Sequence, residues 1–281
     1  HDVIARVGNG SVAVVSHGMS LLTLISGLLE TRRPSPLRLL GNTAISGFVV
    51  DGGDLSMTRY NDDAHLGTNV ALHFDHDPTD TEVLLARHGQ TLSNIEGRWQ
   101  GHQDGQLNDV GRRQAKLLGG SFPPVDVLYA SPLSRASDTA GAIADTQELD
   151  VTYDDRLKEI CFGEWEGMSS AEIAAAYPEE SVEFFNGKDM PRGRTGETFI
   201  QVRKRIRDAL DDIASRHPGE TVGVVSHGGV TRAWVTEVLG MPYEHRGRLS
   251  ILGNTAYARL AFGRRGPSIV SWNLAPHLEG N

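Results

Sequence analysis

The residues best suited to chemistry are two histidines, each of which follows a short apolar run. Arg87 and His88 come directly after Glu82–Ala86. His227 comes directly after Thr221–Ser226. A neutral imidazole can attack phosphorus, and a guanidinium can hold phosphoryl oxygens through a bidentate pair of hydrogen bonds. In isolation such a pair is more often a packed imidazole beside a surface charge, so the surrounding sequence has to distinguish the two interpretations.

Five sequence blocks occur in order along the second part of the chain. They read LLARHGQTLSN, RWQGHQDGQLNDVGRRQA, LYASPLSRASDTA, RLKEICFGEWEG and VGVVSHGG. In residue types and in order, this series resembles the histidine phosphatase superfamily, also called the phosphoglycerate-mutase-like family. The resemblance extends over essentially all of residues 82–281, and five ordered blocks are far more specific than one Arg-His-Gly triplet. It implies a phosphomonoesterase of the histidine acid phosphatase type.

The resemblance assigns roles to individual residues. It implies that His88 is the nucleophile and that Glu159 is the proton donor. Around the transferred phosphoryl group it places Arg87, Arg135 and His227. The positions that it implies for the lining of the phosphate pocket are Thr91, Asn94, Gly101 and the backbone of Gly228. Such a reaction proceeds through a phosphohistidine and requires neither a metal nor another cofactor.

Elementary chemistry agrees with these roles. Phosphoryl transfer places negative charge on the equatorial oxygens, so catalysis depends on positioning and electrostatic stabilisation. Arg87 and Arg135 supply permanent positive charge. A leaving alkoxide must be protonated, and a nearby carboxylic acid speeds that step by about 10²–10⁴-fold. Glu164 and Glu166 compete with Glu159 for this role, because all three lie in one block.

Strand-like and helix-like segments alternate along the second part of the chain. Apolar runs predict strands at Glu82–Ala86, Val125–Ala130 and Thr221–Ser226, and amphipathic spacing predicts helices at Asn108–Gly119, Ser134–Thr146 and Glu197–Arg216. This alternation predicts an α/β fold, a three-layer sandwich with a mostly parallel central sheet flanked by helices. Ligands in such sheets bind outside the carboxyl ends of the strands. We therefore expect His88 and His227 to converge.

The first part of the chain repeats a portion of the second. Residues 11–29 echo residues 221–240, with the same Ser-His-Gly triplet. The pentapeptide LGNTA occurs at 40–44 and again at 252–256, and YNDDAHL is followed by a similar WNLAPHL at a matching distance. The first copy has no Arg-His-Gly block. Chance is a poor explanation for three matches in the same order and at nearly the same spacing.

This repeat predicts the domain organisation. We expect residues 1–76 to be the C-terminal half of a first histidine-phosphatase-like domain, residues 77–81 to be a linker, and residues 82–281 to be a complete domain. Three accounts of the first part remain open. In one, an upstream half outside this chain completes it. In another, it packs on the complete domain or on a partner chain, and in the third it is disordered.

Composition limits the partners. The net charge of −9 argues against a general nucleic-acid binder, and no apolar run approaches the roughly 18–20 residues of a membrane span. The single cysteine, Cys161, excludes an internal disulfide and, with no recognisable signal peptide, predicts a cytoplasmic location. The expected partner is a small-molecule phosphate ester. Self-association is expected either as a homo-oligomer or through pairing of residues 1–76 with a missing upstream half.

Alternative functions remain within and outside the family. The connection over residues 167–197 is shorter than the insertion that the family's mutases usually carry, which favours a phosphatase over a phosphoglycerate-type mutase that must exclude water. A non-catalytic phosphate-binding or scaffold module is the alternative from another class, but a binding relic should have lost His88 or Glu159. The loop Asp104–Asn108 lacks a proline that the family usually has there, which puts its geometry in doubt. The physiological substrate stays undefined.

Overall fold

One mixed β-sheet runs through the molecule. The computed structural model describes residues 10–51, 54–66, 77 and 79–278. Within these residues the strands are β1 Ile45–Asp51, β2 Asp54–Asp62, β3 Thr81–Arg87, β4 Val127–Ala130, β5 Val151–Tyr153, β6 Thr221–Ser226, β7 Tyr257–Gly263 and β8 Gly266–Leu274. They form a single sheet in the order β1-β2-β8-β7-β3-β6-β4-β5.

Helices flank this sheet. Their bounds are α1 Gly18–Leu28, α2 Leu92–Ile95, α3 Asp109–Ser121, α4 Ser134–Gln147, α5 Ser170–Ala176, α6 Pro178–Phe185, α7 Phe199–Arg216 and α8 Gly228–Leu239. Short 3₁₀ turns occur at Ala64–Leu66, Asp155–Leu157, Gly163–Trp165, Tyr243–Arg248 and Pro276–Leu278. The Asn108 side chain caps α3 by accepting the backbone N–H of Gly111 at 2.7 Å.

The α/β fold class is confirmed, and its sheet is mixed rather than mostly parallel. The pairs β3–β6, β4–β6 and β4–β5 are parallel, whereas β1–β2, β2–β8, β7–β8 and β3–β7 are antiparallel. The parallel strands need helical crossovers, but β7 and β8 are joined by a tight turn at Gly266, whose φ is 86°. Two strands joined by so short a turn must run in opposite directions.

Strand β3 shows why the central strands are apolar at successive positions. Val83 and Leu85 face a core that contains residues of α7 and α8. Leu84 and Ala86 face a second core formed with α3 and α4. Side chains alternate between the two faces of a strand, so a strand that is covered on both faces has no face exposed to solvent and is apolar at successive positions. This arrangement produces the predicted three layers.

The first segment shares the core of the rest of the chain. Ile25 of α1 and Leu29, which follows this helix, lie in the same buried cluster as Trp234 and Leu239. Strand β2 joins the sheet by pairing with β8. Arg32 adds a hydrogen bond of 2.9 Å from its Nε to the carbonyl oxygen of residue 238. The described residues from α1 to β2 therefore pack on the domain that follows them.

The predicted linker, residues 77–81, is described except for residue 78. Asp80 within it is buried and forms a salt bridge of 3.1 Å with Arg38. Thr81 already begins β3. Asp80 and Thr81 of this segment are therefore buried rather than solvated. Among the helices that the structure describes, none has both the length and the apolar character of a membrane span.

Replacing Ile25 should test whether α1 is part of the cooperative core. Ile25 is 2% exposed, whereas its neighbour Leu24 is 53% exposed on the same helix. We expect Ile25→Ala to lower the free energy of unfolding by about 2–5 kcal/mol through the cavity it leaves, and Leu24→Ala to change it by less than about 0.5 kcal/mol. Urea unfolding followed by tryptophan fluorescence measures both. Equal stability of the two variants would mean that α1 does not contribute to the core.

Candidate active site

The two histidines lie side by side at the carboxyl ends of two neighbouring strands. In the parallel pair β3–β6, Arg87 at the end of β3 stands opposite Ser226 at the end of β6. His88 and His227 follow directly, and their ring centroids are 5.1 Å apart. The two residues are 3% and 0% exposed. The expected convergence is confirmed, at the place where parallel sheets bind ligands.

The surroundings of His88 favour the neutral form of its ring. Nδ1 lies 2.7 Å from the carbonyl oxygen of Gly89, so Nδ1 carries the hydrogen and Nε2 keeps its lone pair. Burial lowers the pKa of His88 well below its ordinary value, and the charges of Arg87 and Arg135 lower it further. At neutral pH the ring is therefore uncharged, as nucleophilic attack on phosphorus requires.

His88 lines a cavity, and Arg87 and Arg135 bring positive charge to it. Arg87 donates from Nη1 to the carbonyl oxygen of Leu252 at 2.8 Å, and Arg135 donates from Nη2 to that of Gly101 at 2.7 Å. The Nε atom of each is buried without a hydrogen-bond partner. Glu159 acts on both by charge attraction and not by a hydrogen bond. A buried donor without a partner is unfavourable, so the two guanidinium groups favour an anion that can accept from them.

His227 contributes a second buried imidazole. Its Nε2 lies 2.7 Å from the hydroxyl oxygen of Ser131, while its Nδ1 is buried without a hydrogen-bond partner. Burial lowers the pKa of His227 well below its ordinary value, and Arg135 and His88 act in the same direction. A buried ring nitrogen without a partner is a group that a ligand atom can satisfy.

Glu159 is held against the first turn of α8. Its carboxylate accepts the backbone N–H of Gly229 and that of Val230, both at 3.0 Å, and that of Ile160 at 2.8 Å. The first backbone N–H groups of a helix have no partner within the helix, and the side-chain oxygens of Glu159 satisfy two of them here. A Cβ atom on Gly229 would come within 2.6 Å of Glu159 Oε1, so only glycine leaves room for the carboxylate. Glu159 also lines the cavity.

The two competing carboxylates serve other contacts. Glu166 accepts the backbone N–H of His102 at 2.9 Å and that of Gln103 at 3.1 Å. These two hydrogen bonds hold the loop that contains His102 and Gln103. Glu164 accepts the hydroxyl of Tyr177 at 3.1 Å. Neither lines the cavity, whereas Glu159 does. Geometry therefore favours Glu159 as the acid of this block.

Three of the four residues predicted to line the phosphate pocket do line the cavity. They are Asn94, Gly101 and Gly228. A Cβ atom on Gly228 would lie 3.2 Å from the Nε atom of Arg87, so glycine permits the close approach there. Thr91 lies behind the wall, where it is buried, caps α2 by accepting the N–H of Asn94 at 3.3 Å and thereby holds Asn94 in place.

Asn254 is a contact of the site that the sequence analysis missed. Its Nδ2 donates to the carbonyl oxygen of His88 at 3.1 Å and to Oδ1 of Asn94 at 3.0 Å. It therefore joins the backbone of His88 to the cavity wall. The repeated LGNTA pentapeptide contains this asparagine and was the available signal.

The outer wall of the cavity is more basic than the sequence blocks indicate. Arg192, Arg232 and Arg246 line it together with Tyr243 and Phe184. Arg246 stacks over the Tyr243 ring at 3.9 Å, and Arg192 is only 2% exposed. Burial, assisted by the charge of Arg246, lowers the pKa of Arg232 to about 10, and its Nε is buried without a hydrogen-bond partner. Arg232 follows His227 by little more than one helical turn, but nothing in the sequence alone shows that the other two arginines meet it.

The cavity has a volume of about 270 Å³. That size suits a small phosphate ester. Within the described part of the chain, no three side chains of His, Cys, Asp or Glu are grouped as metal ligands would be. Fold and site together define an α/β protein with a buried imidazole and two guanidinium groups in one cavity, a combination suited to a phosphoryl group.

Comparison with known proteins gives the family. The model of the histidine phosphatase superfamily (branch 1) matches residues 83–275. The chain belongs to that family and is a phosphomonoester hydrolase. Residues 1–76 lie outside the match.

Relatives and solved structures agree with this assignment. Phosphoserine phosphatase 1 of Hydrogenobacter thermophilus is 33% identical over 199 residues, covering 70% of this chain and 94% of its own. A metal-independent phosphoserine phosphatase of Arabidopsis thaliana is 44% identical over 161 residues, covering 54% of this chain and 66% of its own. The phosphoserine phosphatase of Entamoeba histolytica in complex with 3-phosphoglyceric acid superimposes with a TM-score of 0.64 and 32% identity, covering 70% of this chain and 99% of its own.

Proposed function

We propose that His88 attacks a phosphomonoester at phosphorus and carries the phosphoryl group until water releases it. One observation supports this above all: a neutral, buried His88 lies beside two guanidinium groups whose Nε atoms are buried without a hydrogen-bond partner. Arg87, Arg135 and His227 then stabilise the charge on the transferred oxygens. No other group in the cavity combines a nucleophilic atom with this concentration of positive charge among the described residues.

The reaction has two steps. In the first, His88 Nε2 forms a bond to phosphorus, the ester P–O bond breaks, and protonated Glu159 gives its proton to the leaving alkoxide. In the second, Glu159 takes a proton from water, whose oxygen attacks phosphorus while the N–P bond breaks. Inorganic phosphate leaves, and His88 and Glu159 return to their starting states. The position of Glu159 in the cavity wall supports its double role.

Glu159→Gln separates the proton-donor role from a structural one. An alkyl phosphate has a poor leaving group that needs protonation, so we expect its first turnover to slow by about 10²–10⁴-fold. An aryl phosphate has a good leaving group, so its first turnover should slow by less than about 10-fold. Rapid mixing measures both first turnovers. Glu164→Gln, from the same block but outside the cavity, is the matched control and should change neither; equal slowing of both esters in Glu159→Gln would contradict the assignment.

We also propose that the natural substrate carries a carboxylate close to its phosphate. Arg232 and Arg246 line the outer wall of the cavity, and Arg232 has a buried donor without a partner. A guanidinium binds a carboxylate through two parallel hydrogen bonds. Phosphoserine, named in the relatives, and 3-phosphoglyceric acid, bound in one solved structure, both have this composition. The basic wall of this chain offers a carboxylate a partner that a simple alkyl phosphate cannot use.

Arg246→Gln tests this substrate class. We expect KM for O-phosphoserine to rise by about 10–100-fold, because a charge-assisted hydrogen bond contributes about 1.5–3 kcal/mol. KM for O-phosphoethanolamine, which lacks the carboxylate, should stay within about 3-fold of the native value. Arg194→Gln is the control, since Arg194 is exposed and pairs with Glu180. A similar rise for both substrates would mean that Arg246 supports the cavity wall and does not bind a carboxylate.

The domain organisation also remains a proposal. We take residues 1–76 as the C-terminal half of a histidine-phosphatase-like domain and residues 82–281 as a complete one. The sequence repeat supports this division, and so does the placement of the family match within the second part.

A further inference from the structure

The chain contains one structural unit twice. Ile45 and Tyr257 begin the hairpins β1–β2 and β7–β8, and they are 212 positions apart. The same offset relates the 3₁₀ turns Ala64–Leu66 and Pro276–Leu278 that follow the hairpins. A helix precedes each hairpin, α1 in the first copy and α8 in the second. The sequence repeat is therefore also a repeat of secondary structure.

Matching hydrogen bonds hold the two copies in the same conformation. The side-chain oxygen of Asn61 accepts the backbone N–H of Gly41 at 2.8 Å. The side-chain oxygen of Asn273 accepts the N–H of Gly253, also at 2.8 Å. Both asparagines are left-handed, with φ of 51° and 63°. Such agreement in an uncommon backbone conformation shows that the two units are equivalent in detail.

The two units face each other across a local two-fold axis. Strand β2 pairs antiparallel with β8, so that Tyr60 stands opposite its own counterpart Trp272. The two asparagines donate across this axis, one to the carbonyl oxygen of Val270 at 2.8 Å and the other to that of Thr58 at 2.7 Å. Reciprocal contacts between equivalent residues are the mark of an isologous interface. The contact is therefore of the kind formed between two equal domains.

What lies beyond each hairpin differs between the copies. In the second copy, β7 pairs on its outer side with β3, and β6 lies beyond β3. In the first copy, the equivalent strand β1 is the outermost strand of the sheet in the described part of the chain. Val49 and Val50 of β1 are 54% and 40% exposed. A free apolar edge of this kind invites pairing with another strand.

Residues 11–17 show the same difference more strongly. They repeat β6 and His227 in sequence, yet Val12, Val14 and Val15 are 52%, 61% and 96% exposed. The three equivalent valines of β6 are all 0% exposed. His17 is exposed, whereas His227 is buried. A sequence suited to the centre of a sheet therefore lies on the surface.

We propose that β1 and residues 11–17 form a docking surface for the N-terminal half of a second histidine phosphatase domain, carried by the same polypeptide upstream of residue 10. The second copy identifies the occupant, because it shows what covers the equivalent residues. A strand like β3 adds to the outer edge of β1, and residues 11–16 form the next parallel strand beyond it. The upstream segment then resembles residues 81–220, and the completed domain pairs with residues 82–278 across the two-fold axis already present. This inference concerns a surface away from the cavity and does not depend on the proposed reaction.

A fused chain tests the fit directly. Residues 81–220 are placed ahead of residue 11, so that residue 220 joins residue 11 as it joins residue 221 in the native sequence. We expect hydrogen exchange of peptides covering 11–17 and 45–51 to slow by about 100-fold or more relative to the 281-residue chain, because these amides enter a sheet. Light scattering should show that both proteins are monomers.

Val14→Asp is the matched control. In the 281-residue chain Val14 is 61% exposed, so the substitution should leave unfolding and aryl phosphate hydrolysis unchanged. In the fused chain it should remove the protection, because a charge would have to be buried. Fast exchange in the fused chain, or its failure to give soluble protein, would overturn the proposal. So would a dimer of the 281-residue chain in which these peptides are already protected, since the occupant would then be a second copy.

Discussion

The parallel pairing of β3 with β6 is the constraint on which the site depends. It fixes the ends of the two strands opposite each other. The residues that follow, His88 and His227, must therefore lie side by side at the same edge of the sheet. That pairing is possible only because both strands are buried on two faces, which in turn requires α3 and α4 on one side and α7 and α8 on the other. Changes that shift the register by one residue would separate the imidazoles.

Burial then determines the charge state of the site. Removal from water favours a neutral imidazole at His88, whereas Arg87 and Arg135 stay charged because a guanidinium does not lose its proton in a protein. The result is a pocket that combines two positive guanidinium groups with a neutral imidazole. Glu159 is the one carboxylate in the described cavity wall, and the N-terminus of α8 holds it there. Water competes poorly with a phosphate dianion for such a pocket, since the positive groups are already in place.

Much of this arrangement could be predicted from the sequence, and the rest depends on contacts that a sequence does not encode locally. His88 and His227 follow apolar runs, and the order of parallel strands brings such ends together. The sequence alone did not distinguish Glu159 from Glu164 and Glu166 as the acid. The structure does, because the turn at Gly163–Trp165 directs the latter two side chains to other partners. The basic outer wall was missed, because Arg192 and Arg246 belong to segments without regular spacing that meet only in the folded chain.

The sheet was expected to be mostly parallel because the helical crossovers give a strong sequence pattern, whereas the terminal hairpins give a weak one. The burial of Ile25 could not be predicted either, since an apolar helix face does not show which surface will cover it.

The central claim is that His88 carries the phosphoryl group. The most direct measurement mixes the 281-residue chain with excess aryl phosphate, quenches within milliseconds without acid, and locates added phosphate by peptide mass spectrometry. We expect the phosphoryl group on the peptide that contains His88. It should also be found there in His65→Ala, because His65 is exposed and does not line the cavity. In His88→Ala both the phosphorylated peptide and turnover should be lost. Phosphate on another histidine, or hydrolysis that continues in His88→Ala, would show that the nucleophile lies elsewhere.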